Sequence, residues 1–214
     1  LQTIQNANTV REAIQAYLAS ISFADAQLGR ILDTLQRSPH AGNTITILWS
    51  DHGWHHGEKQ HWHKSTLWET ATRVPFILRA PGQNPGTCRR PVSLIDIYPT
   101  LNELCGFKPA GPLDGTSLAP LLRDPQAKWN RPAIIEYHKG NVAIRSERWR
   151  YIRYHDGGEE LYDHENDSNE WNNLAKFPEH AAIKKNLARW YPTQWAPSAP
   201  TKLAFQFDPK SYTW

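Results

Sequence analysis

Apolar residues near the start of the chain recur at helical spacing. Ile14, Tyr17, Leu18, Ile21, Leu28, Ile31, Leu32 and Leu35 share one face of a helix. Thr9 and Glu12 stand at capping-box spacing ahead of it, and Ser38-Pro39 with Gly42-Asn43 end it. The next apolar run, Thr44-Ile45-Thr46-Ile47-Leu48-Trp49, is short and β-branched without strict alternation. It reads as a strand buried on both faces, as in a parallel sheet. Helix followed by buried strand predicts an α/β fold. Residues 50–66 are polar and too irregular for an element of their own. A second strand is predicted at Val74–Arg79. A helix follows at Asp96–Cys105, with Pro99 in its first turn, and a shorter one at Ser117–Arg123.

The pattern changes after about residue 125. Ala133–Tyr137, Val142–Ser146, Trp149–Tyr154 and Glu159–Tyr162 are short runs parted by Gly and Asn turns, which predicts an antiparallel meander. Pro178–Tyr191 reads as an amphipathic helix with Ile183, Leu187 and Trp190 on one face. The expected organisation is part of a larger α/β domain at 1–125, a small α+β subdomain at 126–191 and an irregular tail at 192–214. If the strand at 44–49 had no further sheet neighbours, it would expose apolar surface.

Composition narrows what such a scaffold can do. The 214 residues are 39% hydrophobic and 11% aromatic, enough to build a core. The net charge of +3 is small and dispersed, which argues against nucleic acid as a partner. No run approaches the roughly 18 apolar residues of a membrane helix. Two cysteines are too few for a disulfide framework. The sequence has no Met and opens on Leu1, so the expectation is a processed chain or a fragment with sequence missing upstream.

Half of the ten histidines (His52, His55, His56, His61 and His63) crowd the segment after the first strand. In open α/β sheets ligands bind beyond that edge. Asp51 and His52 offer a carboxylate oxygen and an imidazole nitrogen to a divalent cation. A turn-capping Asp beside a hydrogen-bonded His accounts for them equally well, and two adjacent ligands need others from elsewhere. A zinc hydrolase is not supported: the His-Glu-x-x-His order is missing, and Gly53 and Gly57 oppose a helix. His55, His56 and His61 then read as loop or substrate-facing residues. Trp54 is the tryptophan best placed to stack on a sugar ring. Lys64 could bind an anionic oxyester as a point charge, although a solvated surface lysine is the simpler reading of its position. Arg145, Arg148, Arg150 and Arg153 read as the solvent-facing side of the meander.

Several of these segments, taken in order, resemble the type I sulfatases, and in particular an iduronate-2-sulfatase-like branch. They are Ser50-Asp51-His52-Gly53-Trp54, Gly57-Glu58, Trp62-His63-Lys64 and Thr72-Arg73-Val74-Pro75. Ile95-Asp96-Ile97-Tyr98-Pro99-Thr100-Leu101, Asp114-Gly115-Thr116-Ser117-Leu118 and Glu160-Leu161-Tyr162-Asp163 continue the likeness. The resemblance implies an alkaline-phosphatase-like α/β/α sandwich, of which this is the C-terminal part. It also implies hydrolysis of sulfate esters of carbohydrates in an exported or lysosomal setting. In such enzymes a calcium ion binds the sulfate and a formylglycine, made from Cys or Ser, is the nucleophile. The resemblance makes Asp51 and His52 calcium ligands and Lys64 a catalytic, sulfate-binding residue. Trp54, His55, His56 and His61 would face substrate.

Neither Cys88 nor Cys105 sits in a formylglycine motif. The nucleophile and the other calcium ligands are therefore expected upstream, in the same protein or in a separate N-terminal chain, and this chain alone is expected to be inactive. A phosphatase or phosphodiesterase of the same superfamily, or a non-catalytic subunit or remnant, are the alternative readings.

Overall fold

The structure is a computed structural model that describes residues 1–197, 208, 210 and 211. Most of the tail expected at 192–214 lies outside the described residues. A short helix α1 (Gln2–Asn6) leads into the long α2 (Val10–Gln36). Thr9 is the N-cap of α2, but its side chain makes no capping bond. Its hydroxyl turns back to the Ile4 carbonyl at 3.4 Å, so the expected capping box does not form. None of the α2 residues is buried. Its predicted apolar face lies open, with Leu18 56% and Ile31 65% exposed.

Strand β1 (Thr46–Trp49) follows. Its partner is β4 (Phe76–Arg79), and the pair is antiparallel, Ile47 opposite Leu78. This corrects the parallel, doubly buried strand expected from composition. A short apolar run does not fix strand direction. A parallel return needs a full crossover connection, usually a helix, whereas the one α-helix between β1 and β4 is α3 (Glu69–Thr72), four residues long. The pair is partly open: Trp49 is 48% and Ile77 59% exposed. Residues 50–66 do contain an element, a hairpin of β2 (His55–His56) and β3 (Trp62–His63). Helix α4 (Ile97–Cys105) ends at Gly106 in the left-handed conformation. Helix α5 (Ala119–Arg123) closes this part of the chain.

The predicted meander is present. Strands β5 (Ala133–Glu136), β6 (Val142–Arg145), β7 (Trp149–Arg153) and β8 (Glu159–Asp163) pair in sequence order, all antiparallel. Alternation along these strands gives the sheet two faces. Val142, Ile144, Tyr151 and Leu161 fill one face, under helix α6 (Ala181–Ala188) with Ile183 and Leu187. The other face carries Ile135, Ala143, Ile152 and Tyr162, and packs on Leu67 and Trp68.

Register puts Arg145 and Arg150 on that second face, opposite each other and beside Tyr162. They are therefore not the solvent-facing stripe expected. Arg150 is 1% exposed. Its guanidinium donates to the Leu67 carbonyl at 2.9 Å and to Glu69. Its Nε lies 2.6 Å from Glu170 Oε1, close enough to pair charges but out of line for a hydrogen bond. Arg145 Nε reaches Glu69 Oε2 at 3.0 Å, and the Glu69 amide donates to Glu170 Oε2 at 2.8 Å. Charge, rather than apolar area alone, thus docks α3 onto the sheet.

Two arginines on β7 should then respond differently. Arg150→Met leaves two carboxylates without their shared cation and is expected to cost about 3–5 kcal/mol. Arg153 is exposed, stacks on Tyr191 at 4.7 Å from the ring centroid and faces Glu159 across the strand pair, so Arg153→Met is expected to cost about 1 kcal/mol or less. Urea midpoints of the two variants test this, and equal losses would contradict the two-faced sheet.

Candidate active-site cleft

The chain leaves β1 through Ser50-Asp51-His52-Gly53, and local bonding fixes this turn. The Ser50 hydroxyl donates to the His52 carbonyl at 2.8 Å. The Gly53 amide donates to the Ala71 carbonyl at 2.8 Å, tying the turn to α3. A Cβ on Gly53 would lie 2.0 Å from the Thr70 carbonyl oxygen, so this approach requires glycine. His52 Nδ1 is 2.8 Å from the Gly53 carbonyl. A carbonyl only accepts, so Nδ1 carries a proton, and the tautomer this bond selects has its lone pair at Nε2. That nitrogen faces Asp51 Oδ2 at 3.5 Å. Two acceptors turned toward each other are relieved by a cation or a proton between them. A metal-binding His held through its other nitrogen by a backbone carbonyl has this arrangement. The pair thus fits two of the donors of a divalent-cation site.

Lys64 follows the β2–β3 hairpin directly. The preceding His63 has φ of 92°, a conformation rare for a non-glycine residue. Lys64 is half-buried and has no hydrogen-bond or ion-pair partner among the described residues. Asp51, His52 and Lys64 line one open cleft of about 1230 Å³, together with Arg73, Arg89 and Arg90. Most other cations at this cleft are neutralised. Arg90 pairs with Glu147 at 2.6 Å, and Arg148 with Asp163 at 2.7 Å and Glu165 at 2.9 Å.

The remaining predicted residues do not line this cleft. His55, expected to face substrate, is fully buried, and its Nε2 bonds the Thr66 hydroxyl at 2.8 Å. Burial first, and His61 beside it second, hold its imidazole below the ordinary value of 6.5. It is a core histidine. His61 packs edge-on against His55 and Trp68, with centroids at 5.1 and 6.4 Å. His56 packs edge-on against Tyr17 and Trp62, at 4.4 and 5.4 Å. Trp54 lies against the His63 ring at 4.4 Å, with His52 at 6.3 Å on the same side chain.

Four residues that matter here carried no expectation of a site role: Lys59, Glu69, Arg150 and Glu170. A signal for Arg150 did exist. In Trp149-Arg150-Tyr151-Ile152, alternation gives both faces a large apolar residue, so the strand is covered on both sides and Arg150 must lie inside. Glu69, His164 and Glu170 bring ligand atoms within 4.8 Å of one another. Their charge is met by Arg145 and Arg150, and His164 Nε2 lies 2.9 Å from Glu170 Oε1. This group is an ion-pair array, so a cation fits better at Asp51 and His52.

A family model for Sulfatase matches residues 2–107, and one for N-sulphoglucosamine sulphohydrolase, C-terminal, matches residues 57–193. A sulfatase of Formosa agariphila is 43% identical over 194 residues, which is 86% of this chain and 38% of that relative. The chain therefore spans well under half the length of that protein. Among solved structures, a protein in complex with its substrate D-glucosamine-2-N,6-O-disulfate superposes with a TM-score of 0.68. It is 27% identical, covering 81% of this chain and 38% of that one. Phosphonate monoester hydrolase of Agrobacterium radiobacter gives a TM-score of 0.67 at 28% identity, covering 79% of this chain and 38% of that one. The alkaline-phosphatase-like α/β fold is thereby shown, while none of these likenesses singles out the iduronate-2-sulfatase-like branch.

The array beneath α3 should impose an acid limit on stability. Burial alone would raise the Glu69 carboxyl, but Arg145 and Arg150 outweigh it and hold it down, from 4.5 to about 2. A carboxyl depressed on folding stabilises fully above its unfolded value and loses that contribution as pH falls through its folded value. Roughly 3 kcal/mol is expected to drain between about pH 4.5 and 2. Asp163, held by Arg148 at about 2, adds to the same limb. Urea midpoints from pH 7 to 2 should fall in this window and fall less steeply in Glu69→Gln. An equally steep limb in that variant would rule Glu69 out as its source.

Proposed function

The chain belongs to the sulfatase family, and from that premise we propose that it supplies part of the active site of a sulfuric ester hydrolase acting on a sulfated carbohydrate. Residues 1–125 would contribute to the catalytic α/β domain and residues 126–191 would form a supporting α+β subdomain. One observation carries the proposal: Asp51, the free Nε2 of His52 and an unpartnered Lys64 line the same cleft. Asp51 and His52 would hold a calcium ion, to which other donors of the full-length protein contribute. When bound, that ion supplies fixed positive charge beside the oxygens of the ester. Lys64 binds one sulfate oxygen and stabilises the charge that develops as the carbohydrate hydroxyl leaves. The Gly53 carbonyl keeps the His52 proton on Nδ1, so that Nε2 stays available as a donor atom. The nucleophile would come from the portion of the protein that precedes this chain.

The likeness to a phosphonate monoester hydrolase favours a second reading, in which the same cleft takes a phosphonate or phosphate ester. Rates on an aryl sulfate, an aryl phosphonate and an aryl phosphate separate the two.

In the full-length protein, aryl sulfate turnover should be lost with a chelator and restored by calcium. Lys64→Ala and Asp51→Ala should each lower kcat by about 10²–10³-fold, the scale of removing one electrostatic contact from a transition state. Full activity in either variant would remove that residue from the proposed site, and faster phosphonate turnover would favour the second reading.

A further inference from the structure

Lys59 stands out because it is a cation that neither the cleft nor a carboxylate holds. Its ammonium lies over the Trp68 ring, 4.6 Å from the centroid, and over the Tyr162 ring at 4.7 Å. It donates to the Tyr162 hydroxyl at 3.1 Å and to the Glu170 backbone carbonyl. Both rings are fixed from behind by one carboxylate. Trp68 Nε1 donates to Glu160 Oε2 at 2.7 Å, and the Tyr162 hydroxyl donates to the same oxygen at 2.6 Å. The lysine therefore plugs a rigid socket on the meander's second face.

The backbone around that plug is strained. Lys59, Gln60 and His63 have φ of 52°, 56° and 92°, and Glu170, whose carbonyl receives the ammonium, has φ of 60°. Such conformations persist only where their surroundings over-determine them. Three of the four lie in the turn and second strand of the β2–β3 hairpin, and the last of them immediately precedes Lys64. No other polar side-chain bond ties residues 59–63 to the sheet among the described residues.

We propose that Lys59 is a positioning residue: its ammonium, seated in the Trp68–Tyr162 socket, holds the strained hairpin that aims Lys64 into the cleft. The proposal rests on the reading of Lys64 as the anion-binding group. Lys59 touches no reacting atom. Its removal frees the hairpin from the sheet, and a displacement of about 1 Å at a reacting group costs on the order of 10²-fold in rate.

The test uses the full-length protein with Lys59→Met, Lys59→Arg and Tyr162→Phe, each alone and in the Lys64→Ala background. Lys59→Met should lower kcat by roughly 10- to 100-fold. Lys59→Arg, which keeps a donor cation over the rings, should recover most of that loss. Tyr162→Phe, which keeps the ring and loses the hydroxyl, should fall between. In the Lys64→Ala background Lys59→Met should change kcat by less than about twofold, because the two residues act as one unit. A merely structural role would instead add its loss in both backgrounds, and that result overturns the proposal. Backbone hydrogen exchange over residues 57–66 is the second readout and needs no substrate. Faster exchange in Lys59→Met, with no change in the β5–β8 strands, supports the clamp; unchanged exchange overturns it. If the protein turns over phosphonate rather than sulfate, the sulfate reading falls while both readouts still decide the role of Lys59.

Discussion

Two carboxylates, Glu69 and Glu170, share one guanidinium, Arg150, on the inner face of a four-stranded sheet. Removing such charges from water costs several kcal/mol each. The cost is offset only when nearly every donor and acceptor is met. Arg145 adds a second cation to Glu69, the Glu69 amide bonds Glu170, and His164 closes the other side of Glu170. Apolar packing tolerates sliding. A fork of donors on two carboxylates does not, because each bond fixes an angle as well as a distance. The array therefore fixes where α3 sits on the sheet.

The cleft inherits that position through the backbone. Glu69 begins α3, and the Ala71 carbonyl near its end receives the Gly53 amide. Gly53 follows His52, and the missing side chain is what lets the two backbones meet. The Asp51–His52 turn thus rests on α3, which in turn rests on Arg150. Lys64 is reached from the other side, through the β2–β3 hairpin and the Lys59 socket. The two routes start from adjacent residues of the same sheet face, Arg150 and Tyr162 being register partners. The meander, which supplies neither Asp51, His52 nor Lys64, is the base plate on which all three are set.

The parts of the fold that could be read from sequence were those decided by local pattern. Alternation with Gly and Asn turns located the four meander strands to within about a residue. The apolar stripe of Ile183, Leu187 and Trp190 located α6. What could not be read depended on partners far along the chain. The direction of β1 was decided by its connection to β4, not by its own residues. Arg145 and Arg150 read as surface residues, although both meet a single carboxylate, Glu69 of α3, which lies 76 residues before the first and 81 before the second. The histidine cluster divides. His55 is buried in the core, whereas His56 and His61 are partly buried and pack edge-on against Tyr17, Trp62 and Trp68, outside the cleft. Of that segment, the cleft takes Asp51, His52 and Lys64. Among the described residues, His52 and Lys64 are distinguished by what the structure leaves open: a ring nitrogen whose only near neighbour is Asp51, and an ammonium without a hydrogen-bond or ion-pair partner.

This selective neutralisation bears on the kind of ester the cleft suits. Arg90, Arg145, Arg148 and Arg150 are all matched by carboxylates, so their charge is spent within the protein. Arg89, also without a partner among the described residues, is exposed, and water screens it. Among the described residues that line the cleft, Lys64 is left as the half-buried free cation, in the same cleft as a pair of donors suited to a metal ion. A sulfate monoester and a phosphonate monoester each carry one negative charge on a tetrahedral centre, whereas a phosphate monoester carries close to two near neutral pH. Under the proposed function, the positive charge that meets such a group is that of Lys64 together with the bound ion, to which the rest of the protein adds its own groups. Under the proposed function, then, the residues of this chain recognise the charge and shape of the group being transferred. The identity of the central atom is left to the nucleophile that attacks it.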